Sequence, residues 1–155
     1  MARFNFRLQQ YLGIKKQLED QKELEYAKAL RMLEAERKKL AELKNRRNES
    51  VETLRAIVST KITPFEIRRF NNNIERLKQL IATQKERVAA AEAYAEQKRQ
   101  DLVQAMKERK AIETVKEHQH EEFVKESELI ERKQVDELVS FKAASRPPVL
   151  DESSS

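Results

Sequence analysis

The sequence predicts an all-α fold, a long antiparallel two-helix coiled-coil hairpin. Three observations lead to this prediction. Of the 155 residues, 38% are charged and 6% aromatic, with one glycine and no tryptophan, which is typical of long helices and coiled coils. Apolar residues recur at alternating steps of three and four. One proline, Pro64, interrupts the first 146 residues, and it separates two such patterns.

Helix 1 is predicted over about residues 5–59 from a loose apolar pattern. The residues that share a phase are Tyr26, Leu30, Leu33, Leu40, Val51, Leu54 and Val58. Basic residues at positions 37, 44 and 47 interrupt this seam. We therefore expect helix 1 to pack less regularly than a strict heptad would.

The turn is predicted at residues 60–63, within the stretch STKITPFEIRRF. Thr63 fits the N-cap, Pro64 the first helical position and Glu66 the third, which is the capping-box pattern. Pro64 also disfavours the helical conformation at Thr63. A kinked continuous helix is the alternative, but the cap, the proline and the change of phase coincide, so a chain reversal is favoured.

Helix 2 is predicted over about residues 64–142 from a strict heptad seam. Its apolar members are Ile67, Phe70, Ile74, Leu77, Ile81, Val88, Ala91, Ala95, Leu102, Ala105 and Ile112. Gln84, Lys98 and Arg109 are its polar interruptions. Polar seam residues usually lower stability and fix register; the alternative is a flexible point in a rod that bends. A reversal at residues 60–63 places Leu33 opposite Ala91.

The end of helix 2 extends beyond the reach of helix 1, since Phe4 would pair near residue 120. Phe123, Ile130, Leu138 and Phe141 nevertheless fall within about 80° of one another on a helical wheel. An isolated helix with such a stripe is marginal in water, so we expect a partner. Fraying, or coverage by Phe4 and Phe6, are the alternatives. Residues 143–155, AASRPPVLDESSS, are predicted to be a disordered tail.

Charge is distributed unevenly along the chain. Residues 1–87 contain 21 basic and 12 acidic side chains, whereas residues 88–155 contain 11 and 15. The basic excess surrounds the predicted turn. A solvated coiled-coil face or a site for an acidic protein surface are the leading interpretations. Nucleic acid is disfavoured because acids are interleaved and no stacking module is present.

No catalytic, cofactor or metal site is predicted. His118 and His120 lie about 200° apart on a helix and cannot share a metal ion. One glycine excludes phosphate-loop and dinucleotide motifs. We expect a non-enzymatic protein without cofactors. The absence of cysteine fits a cytosolic location, and no apolar run approaches the length of a membrane span.

Two stretches carry a resemblance to a known family. FNFRLQQYLGIKK, residues 4–16, resembles the opening of the flagellar export protein FliJ. Residues 106–141, ending in VDELVSF, resemble the C-terminal signature of that family, including its closing Asp136-Glu137 pair. The spacing of Ile74, Leu77 and Ile81 agrees as well. The resemblance covers nearly the whole chain.

The resemblance implies a component of the flagellar type III export apparatus, at the cytosolic face of the inner membrane. Members of the family are antiparallel coiled coils similar to the stalk of rotary ATPases. The implied partners are the hexameric export ATPase, the cytosolic domain of the export-gate membrane protein, and export chaperones; membrane association is only through these partners. The implied gate-contact residues are Leu43, Leu77, Leu80 and Gln84.

This chain departs from the family at the gate-contact patch, because Arg46, Ser50 and Asn73 occupy positions that are aromatic in some relatives. For the ATPase we hypothesise a different set of contacts. It comprises Phe4, Phe6, Leu8, Phe123, Ile130, Leu138 and Phe141. Two other functional classes stay open: a structural homodimer joined through the ends of helix 2, and a basic coiled coil that binds nucleic acid.

Overall fold

The protein is all-α, as the sequence predicts. A computed structural model describes residues 2–146. Helix α1 spans Gln9–Val58 and helix α2 spans Pro64–Ala144, and the described residues include no strand. Contacts divide the chain into two compact units, one made of Gly13–Arg109 and the other of the N-terminal residues up to Leu12 with those from Lys110 onward.

The unit Gly13–Arg109 is an antiparallel hairpin that closes along the predicted seam of α2. The buried residues of α2 all belong to that seam: Ile74, Leu77, Ile81, Gln84, Val88, Ala95 and Ala105. A small core forms where Leu33 and Ala29 of α1 meet Val88 and Ala95 of α2. Ala91 packs against the same core, in agreement with the predicted pairing of Leu33 and Ala91. Large and small side chains interdigitate there.

The seam of α1 includes the predicted residues Tyr26, Leu33, Leu40 and Leu54, but its alternate positions lie one residue earlier than predicted. Leu30 is 42% exposed and Val58 57% exposed, and the buried positions belong to Ala29 and, partly, Ile57. From Ala29 and Leu33, steps of three and four reach residues that are all buried or half-buried. They are Lys15, Glu19, Lys22, Tyr26, Ala29, Leu33, Glu36, Leu40, Leu43, Arg47, Ser50, Leu54 and Ile57.

The seam of α1 therefore follows a strict heptad, but polar side chains occupy several of its positions. Lysine, glutamate and arginine cover the seam with their aliphatic stems while their charged ends stay near solvent. If only large apolar residues are considered, Leu30 is chosen instead of the neighbouring seam residue Ala29, although Leu30 faces outward. The prediction of a seam interrupted by polar residues is confirmed, but Leu30, Val51 and Val58 each lie one position from the observed seam.

Each polar interruption of the α2 seam has a glutamate of α1 as its partner. The Gln84 amide donates to the Glu36 backbone carbonyl at 2.9 Å and also to the Glu36 carboxylate. The Lys98 ammonium lies 3.4 Å from a Glu25 carboxylate oxygen. Arg109 donates to the Glu19 carboxylate. Because no deeply buried side-chain nitrogen or oxygen lacks a partner among the described residues, the seam admits polar groups without unsatisfied hydrogen bonds.

The chain reverses at residues 59–63, where side chains satisfy the backbone at both helix ends. The Ser59 and Thr60 hydroxyls donate to the carbonyls of Ala56 and Ile57 at 2.6 and 2.7 Å. Across the turn, the Thr63 hydroxyl accepts the Glu66 backbone N–H at 3.4 Å. Pro64 is the first residue of α2. Helix α1 stops because the hydroxyls compete for its last carbonyls, and α2 starts because Thr63 caps its first turn.

Both predicted outer ends shift by a few residues. Helix α1 begins at Gln9 rather than near residue 5, because Phe4 and Phe6 precede it in a non-helical segment that packs against α2. Helix α2 includes Ala143 and Ala144, which were predicted to be disordered. Alanine is the best helix former, and the helix ends only near Pro147. The predicted tail from residue 147 lies outside the described residues.

Candidate partner-binding surfaces

The last turns of α2 expose an apolar surface that we call the C-terminal stripe, formed by Ile130, Leu138 and Phe141. These side chains are 56%, 59% and 70% exposed. They lie within about 80° of one another around the helix, with Gln134 between Ile130 and Leu138 on the same face. Single exposed apolar residues are ordinary on a protein surface, but an aligned group is typical of an interaction site.

Three further exposed apolar side chains in the last turns of α2 were missed in the sequence. Leu129, Val135 and Val139 are 57%, 57% and 61% exposed. Val135 and Val139 are four residues apart and lie about 100° and 140° from the centre of the stripe, which is midway between Ile130 and Leu138; both are beyond Glu131 on the Leu138 side. They lie outside the arc of the helical wheel that Ile130, Leu138 and Phe141 share, so the pattern that identifies those three residues does not include them.

The N-terminal segment covers the part of α2 that precedes the stripe. The Phe4 ring packs edge-on against His120, with centroids 4.9 Å apart, and lies 5.6 Å from the Phe123 ring. Phe6 is 5% exposed, with the Lys116 ammonium 5.9 Å from the centre of its ring. The predicted pairing of Phe4 with residue 120 is thus confirmed.

The seven residues hypothesised to contact the ATPase therefore separate into two groups. Phe4, Phe6 and Phe123 are buried or half-buried by contacts within the chain, so the alternative of coverage by the N-terminus holds for this part. Leu8, 43% exposed, and the three residues of the C-terminal stripe remain accessible. Only the latter group presents apolar surface to a partner.

A second surface is a groove in the hairpin unit, which we call the polar groove. Its volume is about 310 Å³. The residues that line it are Arg46, Glu49, Ser50, Asn73, Arg76, Leu77 and Leu80. Two of the four implied gate-contact residues are among them, with Leu80 41% and Leu77 8% exposed. Leu43 and Gln84 do not line it, and Gln84 is 6% exposed because it belongs to the seam.

The polar groove combines an apolar floor with positive charge at its edge. The Asn73 amide donates to the Ser50 hydroxyl at 3.5 Å, so two of the positions that depart from the family lie together. Arg46 and Arg76 form no ion pair within the described residues. Glu49 was noted in the sequence only as an acid interleaved with the basic residues, and Arg76 was not singled out, since nothing in its spacing distinguishes it from other surface charges.

Ion pairs across the hairpin shift the pKa values of several groups. Partial burial acts to raise the pKa of Glu25, but the hydrogen bond and charge of Lys98, with Lys22 nearby, lower it below its ordinary value. The hydrogen bond from Lys15, 2.9 Å away, lowers the pKa of Glu108. The hydrogen bond to Glu25 raises the pKa of Lys98. These groups are charged at neutral pH and join the two helices.

Within residues 2–146, no group of three histidine, cysteine or acidic side chains is arranged to hold a metal ion. His120 contacts the Phe4 ring. No described helix has a stretch both long and apolar enough to cross a membrane.

The chain is similar to a known protein family and to a solved structure. The family model described as "Flagellar FliJ protein" matches residues 4–147. The solved structure is that of CT670 from Chlamydia trachomatis, described as a YscO homolog. It shares 26% sequence identity, with a TM-score of 0.57, over 92% of this chain and 96% of the other. No curated protein matches the chain.

Proposed function

Because the chain belongs to the flagellar FliJ protein family, a family of type III export components, we propose that it is a non-enzymatic, stalk-like subunit of the flagellar export apparatus. It promotes assembly and activity of the hexameric export ATPase. It also links this ATPase to the cytosolic domain of the export gate and assists the handling of export chaperones. It works at the cytosolic face of the inner membrane, which it reaches through these partners.

The exposed C-terminal stripe is the observation that supports ATPase binding. Ile130, Leu138 and Phe141 are aligned, more than half exposed and not covered by the N-terminal segment. Burial of a complete side chain of this kind contributes about 1.5–3 kcal/mol. Since each is already partly covered by its own helix, a partner would gain about 1 kcal/mol from each. That sum is enough for the stripe to act as an anchor.

The ATPase role is tested with the single variants Ile130→Asp and Leu138→Asp. Each places a charge in the apolar contact, so we expect loss of the stimulation of ATPase hexamer formation. Leu24→Asp is the matched control, because Leu24 is 65% exposed on α1 and lies outside the stripe. Circular dichroism should show equal helix content in all variants. Stimulation equal to wild type in both stripe variants would contradict the proposed role.

The polar groove and the basic excess around it support binding to an acidic surface of the gate or of a chaperone. Arg46 and Arg76 line the groove together with Leu80 and one acid, Glu49. Opposite charges steer association and lose strength as salt rises. Of the three positions that are aromatic in some relatives, Arg46 is charged, whereas Ser50 and Asn73 are neutral; either the patch is shifted in this chain or charge substitutes for stacking.

The gate role is tested by titrating the gate's cytosolic domain with the double variant Arg46→Glu/Arg76→Glu. We expect binding at least about tenfold weaker at low salt, since two attractive charges become repulsive. Arg31→Glu, at an exposed position of α1, is the control. Binding that hardly changes between low and high salt in the wild type would rule out electrostatics as the reason for these arginines.

Two measurements address the other functional classes. A gel-shift assay at physiological salt with single- and double-stranded nucleic acid should show no complex, because acids are interleaved with the basic residues. The molar mass from sedimentation equilibrium distinguishes a structural homodimer from a monomer that binds a different protein. A tight nucleic-acid complex or a stable dimer would each replace the proposal.

A further inference from the structure

We infer that the partner surface that receives the C-terminal stripe is apolar at its centre and carries lysine or arginine at its rim. This inference rests on the proposed function, since it describes the chemistry of the partner of that same surface. The observation that carries it is the arrangement of charge around the stripe.

Acidic side chains border the stripe on both sides. At 100° per residue, Glu131 lies about 60° from the centre of the stripe on one side. Glu137 lies about 60°, and Glu126 about 80°, from the centre on the other. All three are exposed. A partner that covers the stripe must therefore lie against these carboxylates.

Most basic side chains of the same segment lie away from the stripe, but Lys142 lies about 80° from its centre on the Glu131 side. Lys125 and Arg132 are about 180° and 160° from its centre, and Lys133 is about 100° away. Glu126, Glu131 and Glu137 form no ion pair within the described residues. Three acidic side chains against one basic side chain within about 80° of the centre leave the border of the stripe with a net negative charge.

A second copy of the chain is a poor occupant of this surface. Residues 117–141 contain eight acidic and three basic side chains. Pairing two stripes would place bordering glutamates against one another, in the flanking positions that decide partner choice in coiled coils. Like charges across such a contact are destabilising. The same charge disfavours an anionic lipid surface.

A basic rim on a protein partner satisfies both features of the surface. The apolar centre receives Ile130, Leu138 and Phe141, and the rim meets the carboxylates. Rim charges act mainly on the association rate and its salt dependence. The association rate and its dependence on salt therefore indicate whether the rim of the partner surface is basic.

The test measures binding of the full chain to the cognate export ATPase at about 50 mM and about 300 mM NaCl, on either side of the salt range where screening becomes strong. The border variant is Glu131→Lys/Glu137→Lys. The matched variant, Glu128→Lys/Asp136→Lys, has the same net charge, but its substitutions lie about 120° and 160° from the centre of the stripe. Glutamate and lysine have similar helix propensities, so both variants should remain helical.

We expect the border variant to associate at least about tenfold more slowly at low salt and to lose most of its salt dependence. The matched variant should stay within about threefold of wild type. If the two variants behave alike while Ile130→Asp/Leu138→Asp abolishes binding, the inference is overturned and the proposed function stands. If that stripe variant binds like wild type, the proposed function fails and the inference fails with it. A wild-type homodimer that the stripe variant dissociates would also overturn the inference.

Discussion

At the scale of single residues, Gln84, Lys98 and Arg109 show how polar side chains occupy an apolar seam. Each meets a glutamate-bearing position on the opposite helix, so desolvation is offset by a hydrogen bond or an ion pair. The net contribution of such a contact is small, whereas removal of one partner is costly because the other stays partly buried without compensation. These contacts therefore specify which residues face one another.

One prediction at this scale concerns Glu25 and pH. The pKa of Glu25 is lowered in the folded state, so its stabilising contribution is present above its unfolded pKa, near 4.5, and is lost as pH falls through the lower folded value. Glu25→Gln should therefore melt below wild type at neutral pH, and the two melting temperatures should converge below about pH 4. Thermal unfolding followed by circular dichroism at several pH values tests this. A difference that stays constant down to pH 3 would contradict it.

A second residue-scale prediction compares two neighbouring leucines of α1. Leu33 is 7% exposed in the small core, whereas Leu30 is 42% exposed. Leu33→Ala should lower the free energy of unfolding by about 2 kcal/mol or more, because it removes buried contacts and leaves a cavity. Leu30→Ala should cost less than about 1 kcal/mol. Urea unfolding measures both, and equal losses would show that the seam of α1 has the other phase.

At the scale of elements, side-chain hydrogen bonds, and not flexible residues, define where α1 ends and α2 begins. The turn contains no glycine and no residue with a positive φ. Serine and threonine hydroxyls close α1, and Thr63 with Pro64 opens α2. Because α1 begins only at Gln9, the preceding aromatic residues are free of helical geometry and can pack on α2.

The cap of α2 gives the element-scale prediction. Thr63→Ala removes the acceptor for the Glu66 N–H and should destabilise the protein by about 1 kcal/mol. Thr63→Ser retains the hydroxyl and should stay within about 0.5 kcal/mol of wild type. Urea unfolding of both variants measures the difference. Equal stability of Thr63→Ala and wild type would mean that Pro64 alone opens the helix.

At the scale of the whole molecule, the two units differ in how much of their own apolar surface they bury. The hairpin unit pairs its seam residues from both helices. In the other unit, the N-terminal segment covers Phe123 but leaves the C-terminal stripe exposed. A chain that retains such a surface together with an acidic border is suited to a heterologous partner rather than to self-association.

The whole-molecule prediction is that the isolated chain is monomeric at micromolar concentration. Sedimentation equilibrium should give a mass near 18.3 kDa, since repulsion between the bordering glutamates opposes dimerisation through the stripe. High salt screens this repulsion and should permit weak association at most. A stable dimer at low salt would favour the structural homodimer instead.

The sequence by itself determined the fold class, the position of the chain reversal and the seam of α2. These features depend on local chemistry: Thr63 and Pro64 act within one turn, and the heptad of α2 is written mostly in apolar residues. The family resemblance was likewise visible in residues 4–16 and 106–141, and the family match covers both.

The tertiary structure alone decided three other points: the phase of α1, the fate of the N-terminal aromatics and the composition of the polar groove. Each depends on what lies across the helix pair. Glu36 lies in the seam of α1 opposite Gln84, which donates to it, and Phe4, outside the helix, packs against His120 and Phe123. Hydropathy describes a single side chain and not the residue that contacts it. The contacts across the helix pair determine which side of a helix is buried.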